Sequence, residues 1–279
     1  MAKVRVISDS GCDLPEEIAQ RLSIDVVSLS IRFGDDEYTD RVDLTPAAFW
    51  AKCKASKTLP ETSAPSPGAF RAAYERAHAD GCDGVIVLTM SAALSATHQS
   101  AVLASEAMDG PIALRVVDTK AVSMALGLLV IDVAELAQGG APLDELVQRA
   151  QDNIPKVGVV AMLDTLEHLV KGGRVGGARA LLGQVLAIKP LLELKDGVVA
   201  EAGRQRTRAK ALVAITAEAR SHTPLRRLAI VHGDSSELPT LKTLVADIPV
   251  EFPLVIADMG PTIGTHGGPG IIGVCWLES

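Results

Sequence analysis

Short apolar runs alternate along the chain with polar, cap-like segments, and their spacing predicts strands and helices in turn. Val4-Arg5-Val6-Ile7-Ser8 reads as a strand, and Asp13-Leu14-Pro15-Glu16 then predicts a helix with a capping-box carboxylate three residues after the cap. In Val27-Ser28-Leu29-Ser30-Ile31-Arg32-Phe33 apolar and polar positions alternate strictly, as in a strand with one wet face. Thr45-Pro46 and Ser66-Pro67 each place a hydroxyl at an N-cap and proline at the first helical position, so each predicts a helix. Val85-Ile86-Val87-Leu88 is a continuous apolar run suited to a buried parallel strand, followed by helical character from Ser95 to Met108. Leu114–Val117 repeats the strand and Ser123–Gln138 the helix, and Gly139-Gly140 with a helix from Pro142 to Ile154 closes the unit. Such repetition predicts a mostly parallel sheet flanked by helices.

The second half has a different rhythm. Val157–Val160, Leu228–Val231, Leu254–Ala257 and Ile271–Trp276 read as strands, and helices are expected at Thr165–Lys171, Gly177–Ala187, Thr207–Arg220 and Leu238–Asp247. Between them Leu191 to Ala200 forms a hairpin pattern with Asp196-Gly197 at its two-residue turn. The expected organisation is an α/β unit over 1–155 and a smaller α+β unit with a mixed sheet over 156–279.

Composition narrows the function. Hydrophobic residues make up 48% of the 279-residue chain and aromatics only 3%, so aliphatic side chains must fill the interior and few rings remain for stacking on bases. A formal charge of -7 disfavours a broad grip on nucleic acid or anionic membrane. The exception is local: Gly203-Arg204-Gln205-Arg206-Thr207-Arg208-Ala209-Lys210 gathers four cations, either a solvated face or a dock for an acidic partner. Cys12, Cys53, Cys82 and Cys275 are scattered, without metal-ligand spacing, and read as reduced thiols. The longest apolar stretch, Ala121–Ala137, is broken by Asp132, and the strand pattern begins at once after Met1-Ala2-Lys3, so the expectation is a cytoplasmic protein without membrane segment, metal or cofactor.

Three polar stretches interrupt the aliphatic background: Thr62-Ser63-Ala64-Pro65-Ser66-Pro67, Ser91 to His98, and Gly264-Thr265-His266-Gly267-Gly268-Pro269-Gly270. Clustered hydroxyls, a histidine and accessible backbone amides suit a small anion such as a carboxylate or phosphate. Asp9-Ser10 and the Ser91 segment follow strands and Thr62-Ser63 precedes a helix, so all three can meet on the ligand-binding edge of a doubly wound sheet. Plainer roles are available to each: helix caps for Ser66 and Ser95, a turn cap for Asp9, a helix C-terminal surface cation for Arg174, and a helix-surface position for His98. The glycines around His266 favour close backbone approach to a ligand. No nucleophile elbow, phosphate-binding G-x-x-x-x-G-K-[ST], H-E-x-x-H or dinucleotide fingerprint occurs.

Taken in order, these segments resemble a family. Val6-Ile7-Ser8-Asp9-Ser10 with Asp13-Leu14-Pro15, Thr62-Ser63 with Pro65-Ser66-Pro67, Leu94-Ser95 with Thr97, Val117-Asp118-Thr119 with Gly127-Leu128, Gly172-Gly173-Arg174, and Gly264-Thr265-His266-Gly267 with Pro269-Gly270 look like the DegV family of bacterial fatty-acid-binding proteins. The resemblance implies a DegV-like α/β fold that holds one long-chain fatty acid between its two domains and presents the carboxylate to a separate ATP-dependent kinase, related to dihydroxyacetone kinases, for acyl-phosphate formation. It implies no catalysis by the chain itself. On the matching positions, Thr62, Ser63, Ser95, Thr97, Thr265 and His266 would surround the carboxylate, Arg174, Asp9 and Ser10 would support them, and Arg206 would face the kinase. Ala96 and His98 stand where the family often has glycine and an aromatic residue. A rival reading makes Ser95 and His266 the nucleophile and base of a serine hydrolase or acyltransferase; a small-molecule phosphate binder is a third.

Overall fold

The computed structural model describes residues 2–108, 110, 112–181 and 188–279. Five layers alternate helix and sheet. In the four-stranded parallel sheet, Val4–Asp9 lies between Asp25–Val27 and Gly84–Thr89, and Ala113–Asp118 forms the far edge. Side chains alternate across it as strand geometry requires: Ile7, Val85 and Val87 pack with Phe70 and Tyr74 on one face, and Val6, Ile86 and Leu88 join the central core on the other. Helices Pro67–Ala79 and Thr97–Glu106 cover the first face, and Ser123–Gln138 and Leu143–Asn153 the second.

The helix Ser123–Gln138 is apolar all round because it is buried on both sides. Its other side packs against a six-stranded mixed sheet ordered Val198–Gln205, Lys189–Lys195, Val157–Met162, Ile272–Glu278, Leu225–His232, Val255–Asp258. Helices Arg208–Ser221 and Leu238–Val245 cover the outer face of that sheet. Asp132, the charge that interrupts the apolar run, is buried but fully engaged: it accepts from Asn153 Nδ2 at 2.9 Å and Arg226 Nε at 2.6 Å, with Arg149 at 3.2 Å. Among the described residues no helix is long and apolar enough to cross a membrane.

Local signals account for much of this. Thr45 and Ser66 accept the backbone amides of Ala48 and Ala69, each as a helix cap preceding proline. Asp196 and Gly197 both have positive φ, 50° and 81°, as a two-residue hairpin turn demands. Four expectations need correction. The alternating run from Val27 to Phe33 is two strands: Val27 ends a strand of the parallel sheet, and Ser30–Phe33 enters a small antiparallel sheet with Asp36–Thr39 and Glu61–Ser63. Asp13 caps no helix. It sits at φ 52° and its buried carboxylate accepts from Ser123 Oγ at 2.6 Å, Gly260 N at 2.8 Å and Arg41 Nη2 at 3.2 Å, joining distant parts of the chain. The glycines around His266, expected to let the backbone approach a ligand closely, lie in a helix, Pro261–Gly267, where Gly264 packs against Phe49 and Trp50 and Gly267 against Ile271. The expected helix 177–187 begins as a 3-10 turn, Gly176–Leu181, and its remainder lies outside the described residues.

Asp9 also resolves as a structural cap. Its carboxylate accepts from Gly11 N at 2.9 Å and Met90 N at 2.7 Å, and burial pushes it up to about 7, with the charges of Asp40 and Asp13 adding to the shift. A carboxyl with a raised native pKa stabilises the fold fully below its unfolded value near 4, and that contribution is lost as pH rises toward 7. Asp9→Asn retains an acceptor without the charge. The stability of wild type relative to Asp9→Asn is therefore expected to fall by a few kcal/mol between about pH 4 and pH 7 in urea titrations; a pH-independent difference would refute the assignment.

Candidate functional site

Between the central helix layer and the mixed sheet lies a cavity of about 120 Å³. Its walls are aliphatic: Leu29 and Leu94 from one side, Val159, Ala161, Leu163, Leu192, Leu194 and Val199 from the mixed sheet, Ile263 and Ile271 near the C-terminus. Met90 and Met259 add flexible thioethers that adapt to a ligand's shape. The polar lining includes Thr62, Ser95, Arg174 and His266, brought from sequence positions as far apart as 204 residues.

Each of these four is placed by a different element. Thr62 lies on the edge strand Glu61–Ser63, opposite Ile31, and the alternation of that strand turns Ser63 to solvent. Thr62 Oγ1 shares a 3.0 Å hydrogen bond with His266 Nε2. His266 projects from the last turn of Pro261–Gly267, and Thr262, one turn earlier on the same helix, also lines the cavity. Gly172 makes room for the imidazole: a Cβ there would stand 2.3 Å from His266 Nδ1. Ser95 precedes the helix Thr97–Glu106; its Oγ accepts from Thr97 N at 3.3 Å and bonds Thr97 Oγ1 at 2.8 Å. Arg174 is anchored through Nε to the Leu94 carbonyl at 3.0 Å and through Nη1 to the Gly172 carbonyl at 2.6 Å, so it ties the segment carrying Ser95 to the turn that packs against His266.

Electrostatics follow from burial. His266 is held down at about 4, first by burial and then by the charges of Arg174 and His168, so its ring is neutral near pH 7. Among the described residues its Nδ1 is buried without a partner. A neutral imidazole, two hydroxyls and a guanidinium beside an aliphatic chamber can orient a carboxylate whose alkyl chain is removed from water. The hydrolase arrangement requires more. Ser95 bonds Thr97 rather than His266, and no described carboxylate orients His266 Nδ1.

The other expected positions fall around this group rather than in it. Thr97 is buried behind Ser95, and Thr265 is buried with its carbonyl on His168 Nδ1 at 3.0 Å. Ser10 Oγ accepts from Leu29 N at 3.0 Å and bonds Thr262 Oγ1 at 3.2 Å, supporting two lining residues from behind. His98 turns to Thr89 Oγ1 at 3.1 Å, and Cys12, its thiol pushed up to about 12 by burial, is no lining residue. Arg206 is exposed, whereas its neighbour Arg208 is tied to Glu237, Asp164 and the Gly270 carbonyl. Sequence reasoning missed Ser123 and Thr262, whose hydroxyls donate to the buried Asp13 and Asp40 while the residues line the cavity. Isolated serine and threonine letters carry no signal of that role. Among the described residues no cluster of His, Cys, Asp and Glu could hold a metal ion.

The fold and site together define a layered α/β protein with an aliphatic chamber ending in hydroxyl, imidazole and guanidinium groups. Residues 3–279 match the model of the family described as "Uncharacterised protein, DegV family". The chain belongs to the DegV family. Protein DegV of Bacillus subtilis is 30% identical over 281 residues, covering 98% of each chain, and a DegV domain-containing protein of Streptomyces coelicolor is 34% identical over 279 residues, covering 97% of each. Among solved structures, a DegV family protein of Thermus thermophilus, described for its fatty acid binding, superposes with a TM-score of 0.90 at 33% identity over 99% of both chains. The B. subtilis DegV structure, described as a fatty acid binding protein, gives 0.88 at 29% identity, also over 99% of both chains.

Proposed function

We propose that this protein binds one long-chain fatty acid, buries its acyl chain in the aliphatic cavity and presents the carboxylate at Thr62, Ser95 and His266. The observation that carries the reading is the junction of an aliphatic chamber with that polar group. The fatty acid binding described for the Thermus and Bacillus relatives supports it. Burial of each methylene contributes about 0.8 kcal/mol, so the tail supplies affinity and the polar group supplies orientation. Thr97, Thr265, Asp9 and Ser10 support the head-group residues, Arg174 steadies them, and Ser63 adjoins them on the outer face of its strand. Two units, 1–155 and 156–279, clasp the ligand.

In the fuller form of the proposal the protein is the non-catalytic substrate carrier of a two-component fatty-acid kinase. A dihydroxyacetone-kinase-like partner docks over Arg206 and brings ATP, which places the pair in the cytoplasm. A carboxylate oxygen attacks the γ-phosphorus, the bond to the ADP oxygen breaks, and the acyl phosphate results. The carrier needs only to hold the oxygen in line.

Native mass spectrometry of the purified protein, followed by denaturation and lipid identification, tests the binding. One fatty acid per chain is the expected result; an empty protein that hydrolyses acyl esters would move the chemistry to Ser95 and His266. Hydroxamate trapping with the loaded protein, kinase and ATP tests the carrier role, and trapping without the kinase would contradict it.

A further inference from the structure

Two cavities meet along one row of side chains. The strands Val157–Met162 and Lys189–Lys195 pair antiparallel with Val160 opposite Glu193, which sets Val159 opposite Leu194 one step on. Leu194 in turn pairs with Val199. All three line the aliphatic cavity, and Val159 and Leu194 also line a second cavity of about 370 Å³. The opposite wall changes over at the same level: Val122 and Ser123 border the first cavity, Ala121 and Ala125 the second.

The Val199 end of this row abuts Gly176, two residues after Arg174, and the Val159 end lies along the wall from the helix that carries His266. Leu163, four residues from Val159 and so about 13 Å away, lies at the end of the wall where Met162 pairs with Ile272 and Asp164 abuts Gly270, just beyond the helix carrying His266. The second cavity has a mixed lining, apolar at Ile154, Pro155 and Val157 and polar at Thr119 and Asp196, with exposed Lys120 and Lys195 able to lay their stems along it and keep their charges in water. Ser91 Oγ donates to the Gly197 carbonyl at 2.6 Å and fixes the hairpin turn that bounds it.

We propose that Val159 and Leu194 are a partition that sets acyl chain length, and that the second cavity receives the distal end of chains too long for the first. The inference rests on the fatty-acid reading above. Truncating the pair joins the two spaces and lets extra methylenes leave water; enlarging Val159 seals them apart.

The test loads wild type, Val159→Ala/Leu194→Ala and Val159→Phe from one equimolar series of saturated fatty acids of increasing even chain length, with bound lipid read by mass spectrometry. The double variant is expected to favour longer acids by about tenfold per two-carbon step over wild type. Val159→Phe is expected to shift the distribution toward shorter acids, and it keeps the test open should the double variant not fold. Unchanged distributions at full lipid occupancy in the folded variants would overturn the partition while leaving fatty-acid binding intact. A wild type that takes up no acid would instead overturn the fatty-acid reading, and the partition with it.

Discussion

Replacing Thr62 and Ser95 together by alanine is expected to weaken binding of a long-chain fatty acid by about 100-fold or more while leaving the fold intact. A hydrogen bond to a charged group is worth about 1.5–3 kcal/mol, and each hydroxyl offers one to the carboxylate. Neither residue is deep structure. Thr62 sits on an edge strand, where its side chain bonds His266, and Ser95 lies in the turn before a helix that it does not cap as N-cap residue. The tail contribution survives the substitutions, so the variant should still hold long acids weakly. The discriminating quantity is the preference for a free acid over its methyl ester, measured by displacement of a fluorescent fatty acid. Wild type should prefer the acid strongly and the double variant little. An unchanged ratio in a folded variant would mean that the carboxylate lies elsewhere.

The parts of this molecule that were legible in its sequence share one property: their signal is local. Thr45-Pro46, Ser66-Pro67 and Asp196-Gly197 specify backbone geometry with their own atoms, and the structure follows them. Where partners lie far away the same letters mislead. The alternation from Val27 to Phe33 is genuine on both sides of Ser28-Leu29, but a period of two cannot reveal that the chain leaves one sheet and joins another. Asp13 and Glu16 have the spacing of a capping box, yet Ser123, Gly260 and Arg41 claim the carboxylate instead.

The candidate site shows the same division. Thr62, Ser95, Arg174 and His266 stood out as polar groups in an aliphatic chain, and they converge on one cavity. The walls did not stand out, because a leucine facing a ligand chamber and a leucine packed in a core are the same letter in the same alternation. Nor was it legible that the glycines beside His266 serve packing. Gly264 and Gly267 are buried in a helix, where glycine's poor propensity is outweighed by tertiary contact.

That contact leads to the second large effect. A Cβ on Gly264 would lie 2.7 Å from Phe49 Cε1 and 2.8 Å from the Trp50 ring, closer than carbon atoms tolerate, so Gly264→Val must push its helix off the aromatic pair. Phe49 and Trp50 pack edge to face with centroids 4.8 Å apart and Phe49 is fully buried, leaving them little room to yield. Overpacking of this kind costs about 1–3 kcal/mol, and Phe49→Ala alone should cost about 3–5 kcal/mol through the cavity it leaves. Combined, the two should cost less than their sum, since the valine fills space the ring vacated. Urea unfolding of the two single variants and the double variant measures the coupling, and strict additivity would refute the contact. Function should track it, because the displaced helix carries Thr262, Ile263 and His266 along one wall of the cavity. Gly264→Val is therefore expected to lose fatty-acid affinity along with stability, and Phe49→Ala in that background should restore part of both.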